Sequence, residues 1–99
     1  MNFSETELSA LTATSVSVTE DTLTVGLSDG RRIVIPLPWF PRLLHGTAAE
    51  RTNLRLVGNG NGIHWPDLDE DISIEGLLAG RRSAETQPSL RRWLASRIQ

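Results

Sequence analysis

Apolar and polar residues alternate with a period of two along residues 12–37. Val16 and Val18 fall on one face, with Ser15 and Ser17 on the other. Leu23, Val25 and Leu27 alternate with Thr22, Thr24 and Gly26, and Ile33, Ile35 and Leu37 alternate with Arg32 and Val34. Successive side chains of a strand point to opposite faces, so the pattern predicts a three-stranded antiparallel meander with one buried face. The joints agree: Glu20-Asp21 makes a polar turn, and Ser28-Asp29-Gly30 carries the Asp-Gly hairpin signal, with glycine taking a positive φ at little cost. Pro36 and Pro38 have no N–H to donate and should end the third strand.

Beyond residue 38 the period changes. Trp39-Phe40-Pro41-Arg42-Leu43-Leu44 predicts a short helix with Pro41 in its first turn and His45-Gly46 at its end. Thr47-Ala48-Ala49-Glu50 has the spacing of a capping box, which opens a second short helix running to about residue 53. Leu54, Leu56 and Val57 start a strand, and Ile63-His64-Trp65 returns from it until Pro66 halts it. The Gly58-Asn59-Gly60-Asn61-Gly62 run between them lacks the Lys-Ser/Thr of a phosphate-binding loop and precedes a strand, so it reads as a hairpin turn. Ser73 caps a helix over residues 74–79 with Gly80 just past its end, and Asp71 and Glu75 lie where the helix dipole favours negative charge. A last helix is predicted from residue 88 or 89 to 98, with Leu90, Trp93, Leu94 and Ile98 on one apolar stripe. The expected fold is α+β: a small antiparallel sheet, a three-stranded meander plus a second hairpin, with short helices and an added C-terminal amphipathic helix. Residues 1–80 form the domain. Residues 81–99 form an arginine-bearing linker and helix, either part of that domain or an interaction tail.

Composition narrows the class. At 99 residues with 38% hydrophobic and 22% charged content, the chain fits one small globular domain. No run approaches the length of a membrane span, and acids stand where a signal peptide would be basic, so the expected localisation is cytoplasmic, without membrane contact. With no cysteine, disulfides, thiolate nucleophiles and cysteine-based zinc sites are excluded. The net charge of −2 conceals a split. Residues 1–80 hold eleven acids against five arginines, a net −6, while residues 81–99 hold five arginines against Glu85, a net +4. Such a tail can dock on its own acidic body, on a second copy, or on an acidic partner.

The string GIHWPDLDEDISIEGLLAG, residues 62–80, resembles the bacterial family known as domain of unknown function 2442. That family carries a strand ending in His/Trp-Pro, then Leu-Asp-x-Asp-Ile-Ser, then a Gly-Leu-Leu helix. Trp39-Phe40-Pro41-Arg42-Leu43-Leu44 is similar to its central helix, so the likeness spans residues 10–80. Here the structural signature falls on Trp65, Pro66, Asp69, Asp71, Ser73, Gly76 and Gly80. The resemblance implies a small α+β domain with no assigned catalytic residue, in a family sometimes associated with toxin–antitoxin-like gene pairs.

Three chemistries compete. The leading expectation is a non-enzymatic protein-interaction module, antitoxin-like or adaptor, that contacts a protein partner or a second copy of itself. Its contact residues are Leu90, Trp93, Leu94 and Ile98 with Arg91 and Arg92, and no cofactor is expected. The alternative is a small-ligand or metal-assisted enzyme centred on His64 and the acids Asp67, Asp69 and Asp71. Against a calcium loop, counted from Asp67, position six is Ile72 and position twelve is Leu78 where glycine and glutamate are needed. Asp69 and Asp71 are expected to hold backbone N–H groups of the turn instead. The third reading, nucleic-acid contact through the tail arginines, is opposed by the acidic body.

Overall fold

The computed structural model describes residues 11–97 and contains two three-stranded antiparallel sheets over a common core. The first is the meander, β1 (Ala13–Val18), β2 (Thr22–Leu27) and β3 (Arg32–Pro36), in the order β1-β2-β3. Its register puts Val16 opposite Val25, Val18 opposite Leu23 and Ile35 opposite Leu23, so apolar side chains meet across strands on one face. Leu23, Val25, Leu27 and Ile35 are buried, while Val34 on the opposite face is 61% exposed. A bulge between Ala13 and Ser15 re-aims the start of β1.

A 3-10 turn (Leu37–Trp39) leads into α1 (Pro41–His45), which has proline in its first turn as expected. Helix α2 (Ala48–Thr52) starts at the predicted capping box. Thr47 Oγ1 accepts from Glu50 N–H at 3.1 Å, and Glu50 Oε1 accepts from Thr47 N–H at 2.8 Å. Strand β4 (Arg55–Val57) pairs with β5 (Gly62–Trp65) across the glycine-rich turn. Gly60 there has φ +90, and a Cβ on it would lie 2.7 Å from the Ala13 carbonyl oxygen, so only glycine lets the turn close against the start of β1.

The acidic run departs from expectation. Instead of a bend alone it supplies a sixth strand, β6 (Glu70–Ser73), which completes the second sheet in the order β4-β5-β6. Pro66 to Asp69 makes the intervening turn, in which Leu68 is fully buried and Asp69 takes a left-handed φ of 47. The register Ile63↔Ile72 and His64↔Asp71 places the isoleucines with Trp65 in the core and His64 with Asp71 outside. By the same alternation Glu70, opposite Trp65, lies on the inward side. Ser73 then caps α3 (Ile74–Leu78) by accepting from Gly76 N–H at 2.8 Å, and Gly80 follows with φ +77. Both were expected.

After the extended residues 81–86 comes α4 (Gln87–Ser96), capped by Thr86. The shared core joins Leu23, Val25 and Leu37 to Phe40 and Leu43, and to Ile63, Trp65, Leu68, Ile72, Ile74 and Leu77. Among the described residues no helix is long and apolar enough to cross a membrane.

Candidate functional site

Helix α1 is short, but its second residue is the hub of the molecule. The Arg42 guanidinium meets the Glu85 carboxylate through Nε, donates from Nη1 to the Leu68 carbonyl at 3.2 Å, and lies 3.9 Å from Asp69 Oδ2. Its face stacks on Trp93, 5.1 Å from the ring centre. A planar, fork-shaped cation can do all of this at once, whereas an ammonium could not. Glu85 also accepts from Ser89 Oγ, and the Arg42 hydrogen bond, helped by Ser89, holds its carboxyl below the usual range. A second clamp sits at the other end of α4. Arg97 grips Glu50 with two bonds of 2.5 and 3.0 Å and stacks 4.6 Å from the opposite partner, the Trp93 ring. Those bonds, joined by the capping contact with Thr47, push the Glu50 carboxyl down to about 2.

The C-terminal helix is therefore fastened to its own domain. Leu90 is buried and Trp93 is packed against the core with a guanidinium at 5.1 Å and another at 4.6 Å. Leu94 is half-buried. Arg91 and Arg92 are exposed on the outer side, and Ile98 lies outside the described residues. The strap over residues 81–86 is held by Ser83 N–H donating to the Trp39 carbonyl at 3.0 Å, and by Arg82 stacked 4.6 Å from the Trp39 ring.

Between the strap and β6 runs a cleft of ≈ 170 Å³ lined by Phe40, Glu70, Asp71, Ser73, Arg81 and Arg82 among others. It continues into a shallower one of ≈ 310 Å³ that adds Arg42, Asp69 and Glu85. Glu70 lines both. Burial pushes its carboxyl up to about 7; nearby Glu85, Asp71 and Asp69 add to the effect against the opposing pull of Arg42. The shifts of Glu50 and Glu70 act on stability with opposite signs. Glu50 titrates near 4.5 when unfolded, so its contribution is present above that pH and is lost as pH falls toward about 2. Glu70 keeps its proton in the fold up to about 7 but loses it near 4.5 when unfolded, so stability falls as pH rises through that window and levels off above it. Thermal unfolding is thus expected to peak near about pH 5. Glu70→Gln should flatten the alkaline side and raise stability at pH 8 by about 1–2 kcal/mol. A wild-type midpoint that climbs from pH 5 to pH 7 would contradict this placement of Glu70.

The alternative centre does not gather its acids. Asp67 Oδ2 accepts from Asn53 Nδ2 at 2.9 Å, Asp69 faces Arg42, and Asp71 Oδ1 meets His64 Nδ1 at 2.6 Å. The sheet register, not chain proximity, gives His64 its carboxylate. The expected tethering of backbone N–H groups by Asp69 and Asp71 is corrected: among the described residues neither accepts one. No group of three or more His, Asp or Glu among those residues is arranged to hold a metal ion. The signature residues serve the fold. Trp65 is fully buried and donates from Nε1 to the Arg51 carbonyl at 3.0 Å, and Pro66 opens the turn. Gly76 leaves room for the cap, since a Cβ there would lie 2.7 Å from Ser73 Oγ.

Sequence reasoning missed Arg42, Glu50, Glu70 and Glu85 as site residues. Glu85 had a signal, as the one acid in an arginine-rich tail. Glu70 had none, because its place on the face of Ile72 follows only once β6 is known to be a strand.

The family described as Protein of unknown function (DUF2442) matches residues 13–83. No curated protein matches the chain. Among solved structures, the chain is similar to a protein of unknown function from Rhodospirillum rubrum ATCC 11170, at 24% identity and a TM-score of 0.65, over 81% of this chain and 96% of that one. It is also similar to an uncharacterized protein from Chromobacterium violaceum, at 24% identity and a TM-score of 0.63, over 87% and 75%. At that identity the likeness shows a shared fold.

Proposed function

We propose that this chain, which belongs to the DUF2442 family, is a non-enzymatic protein-interaction module of the adaptor or antitoxin-like kind, presenting the arginine face of its C-terminal helix to an acidic partner. One observation carries the reading. Leu90, Trp93 and Arg97 hold α4 to its own domain, while Arg91 and Arg92 are exposed and make no ion pair among the described residues. A fixed helix removes the backbone share of the ordering cost, the planar guanidinium fork loses less freedom per hydrogen bond than an ammonium does, and such patches steer a partner of opposite charge. The half-buried Leu94 adds an apolar edge to the same contact.

The enzyme reading has one observation in its favour, the 2.6 Å contact of His64 with Asp71. A general base also needs a place for substrate, and His64 lines neither of the two clefts described. Binding is the better supported reading.

A photo-crosslinking group at the exposed Ala95 position, used in the source cells, tests the proposal. The chain should crosslink to a protein, and Arg91→Glu/Arg92→Glu should reduce that product by about tenfold or more, since two charges facing the partner are reversed. A product composed of two copies of this chain identifies the acidic partner as itself. A nuclease-sensitive product would move the reading to nucleic acid, and a protein product indifferent to the reversal would contradict it.

A further inference from the structure

Strand β6 is an edge of the second sheet, and the strap over residues 81–86 runs beside it without pairing to it. Ile74 N–H donates to the Asn61 carbonyl, on the β5 side. In an antiparallel ladder alternate residues turn their backbone groups to opposite sides, so those of Ile72 also face β5 and those of Asp71 face outward. The N–H of Ser73 faces outward with them, while its carbonyl starts α3. Among the described residues no backbone group pairs with these three outward ones. Both residues line the ≈ 170 Å³ cleft, so the open edge looks into a groove rather than onto a flat surface.

On the outer face, Arg55, His64 and Asp71 form a row across the sheet, each opposite the next. The row ends on a carboxylate whose side chain is 72% exposed, with Asp69, 88% exposed, in the turn before it. A strand added at β6 would place the residue that exchanges two backbone bonds with Asp71 directly beside that carboxylate, on the same face. A basic side chain there meets the Asp71 carboxylate, whereas an acidic one meets Asp71 and Asp69 together.

We propose that the β6 edge, walled by the strap, is a docking groove for an extended basic segment of a partner protein, which joins the sheet by backbone pairing with Asp71 and Ser73. This surface is separate from Arg91 and Arg92 and goes beyond the contact proposed above.

The probe is a capped heptapeptide of alternating arginine and valine, titrated into the isotopically labelled chain and followed by amide chemical shifts. Shifts are expected at residues 69–73 and 81–84. Methylating the peptide's alternate amides that point at β6 should weaken binding by about tenfold, the cost of lost backbone bonds. Asp71→Asn should weaken it by about fivefold, and a glutamate-valine peptide should not bind. Arg91→Glu/Arg92→Glu should leave the titration unchanged, which separates this groove from the helix contact. Amides of Asp71 and Ser73 unmoved at millimolar peptide, or equal binding of the methylated peptide, would overturn the proposal.

Discussion

Trp65→Ala is expected to cost the chain about 4–6 kcal/mol of folding stability. Trp65 is fully buried at the end of β5, packed among Leu68, Ile63 and Ile74, and its indole N–H satisfies the Arg51 carbonyl at 3.0 Å. Removing a buried tryptophan costs about 3–5 kcal/mol through lost burial and the cavity left behind. The abandoned carbonyl adds about 1 kcal/mol. A domain of this length has only about 5–15 kcal/mol in total, so one substitution removes much of it. Trp65→Phe separates the two terms: it keeps most of the apolar contact and loses the hydrogen bond, for about 1–2 kcal/mol. Urea unfolding with an unchanged m-value measures both. A cost below 1 kcal/mol for the alanine variant would contradict the packing described here.

The second large effect belongs to Arg42. Arg42→Ala removes the partner of Glu85, whose side chain is 10% exposed, frees one face of Trp93, and strips the Leu68 carbonyl of its donor. Leaving a mostly buried carboxylate near Glu70 without its cation should cost about 2–3 kcal/mol. The loss should be local, appearing first as faster amide exchange in α4 and the strap. Arg42→Lys should recover little, because a point charge cannot bond the carboxylate, reach the carbonyl and stack on the ring together. The Glu70 carboxyl should rise further once the attraction of Arg42 is gone. Unchanged exchange at residues 90–96 in Arg42→Ala would mean that the helix is held by something else.

The parts of this fold legible in the sequence are those with local rules. The meander follows from period-two burial, the start of α2 from Thr47 and Glu50, and the ends of α3 from Ser73 and Gly80. Strand β6 was not legible, because Glu70, Asp71 and Ser73 surround a single apolar residue and match loop composition. What makes them a strand is the turn before them, where Leu68 plugs the core and Asp69 adopts a left-handed φ. That is tertiary context overriding propensity. The clamps were hidden for a different reason. Arg42 meets Glu85 across 43 positions and Arg97 meets Glu50 across 47, and no periodicity encodes such pairs. The charge split allowed the tail to dock on its own acidic body, as Arg97 does on Glu50, but equally allowed a solvated face. It could not say that one clamp, Arg42–Glu85, runs from body cation to tail anion.

Helix α4 lies against its own domain and leaves Arg91 and Arg92 exposed on its outer side. A solution of equal parts isotope-labelled and unlabelled chain, examined by filtered nuclear Overhauser spectroscopy, tests this directly. Contacts of the Trp93 indole with the Arg42 and Arg97 side chains should appear within labelled molecules and be absent between labelled and unlabelled ones. If the Trp93–Arg42 contact is seen only between molecules, the helix reaches across to a second copy and does not pack on its own domain.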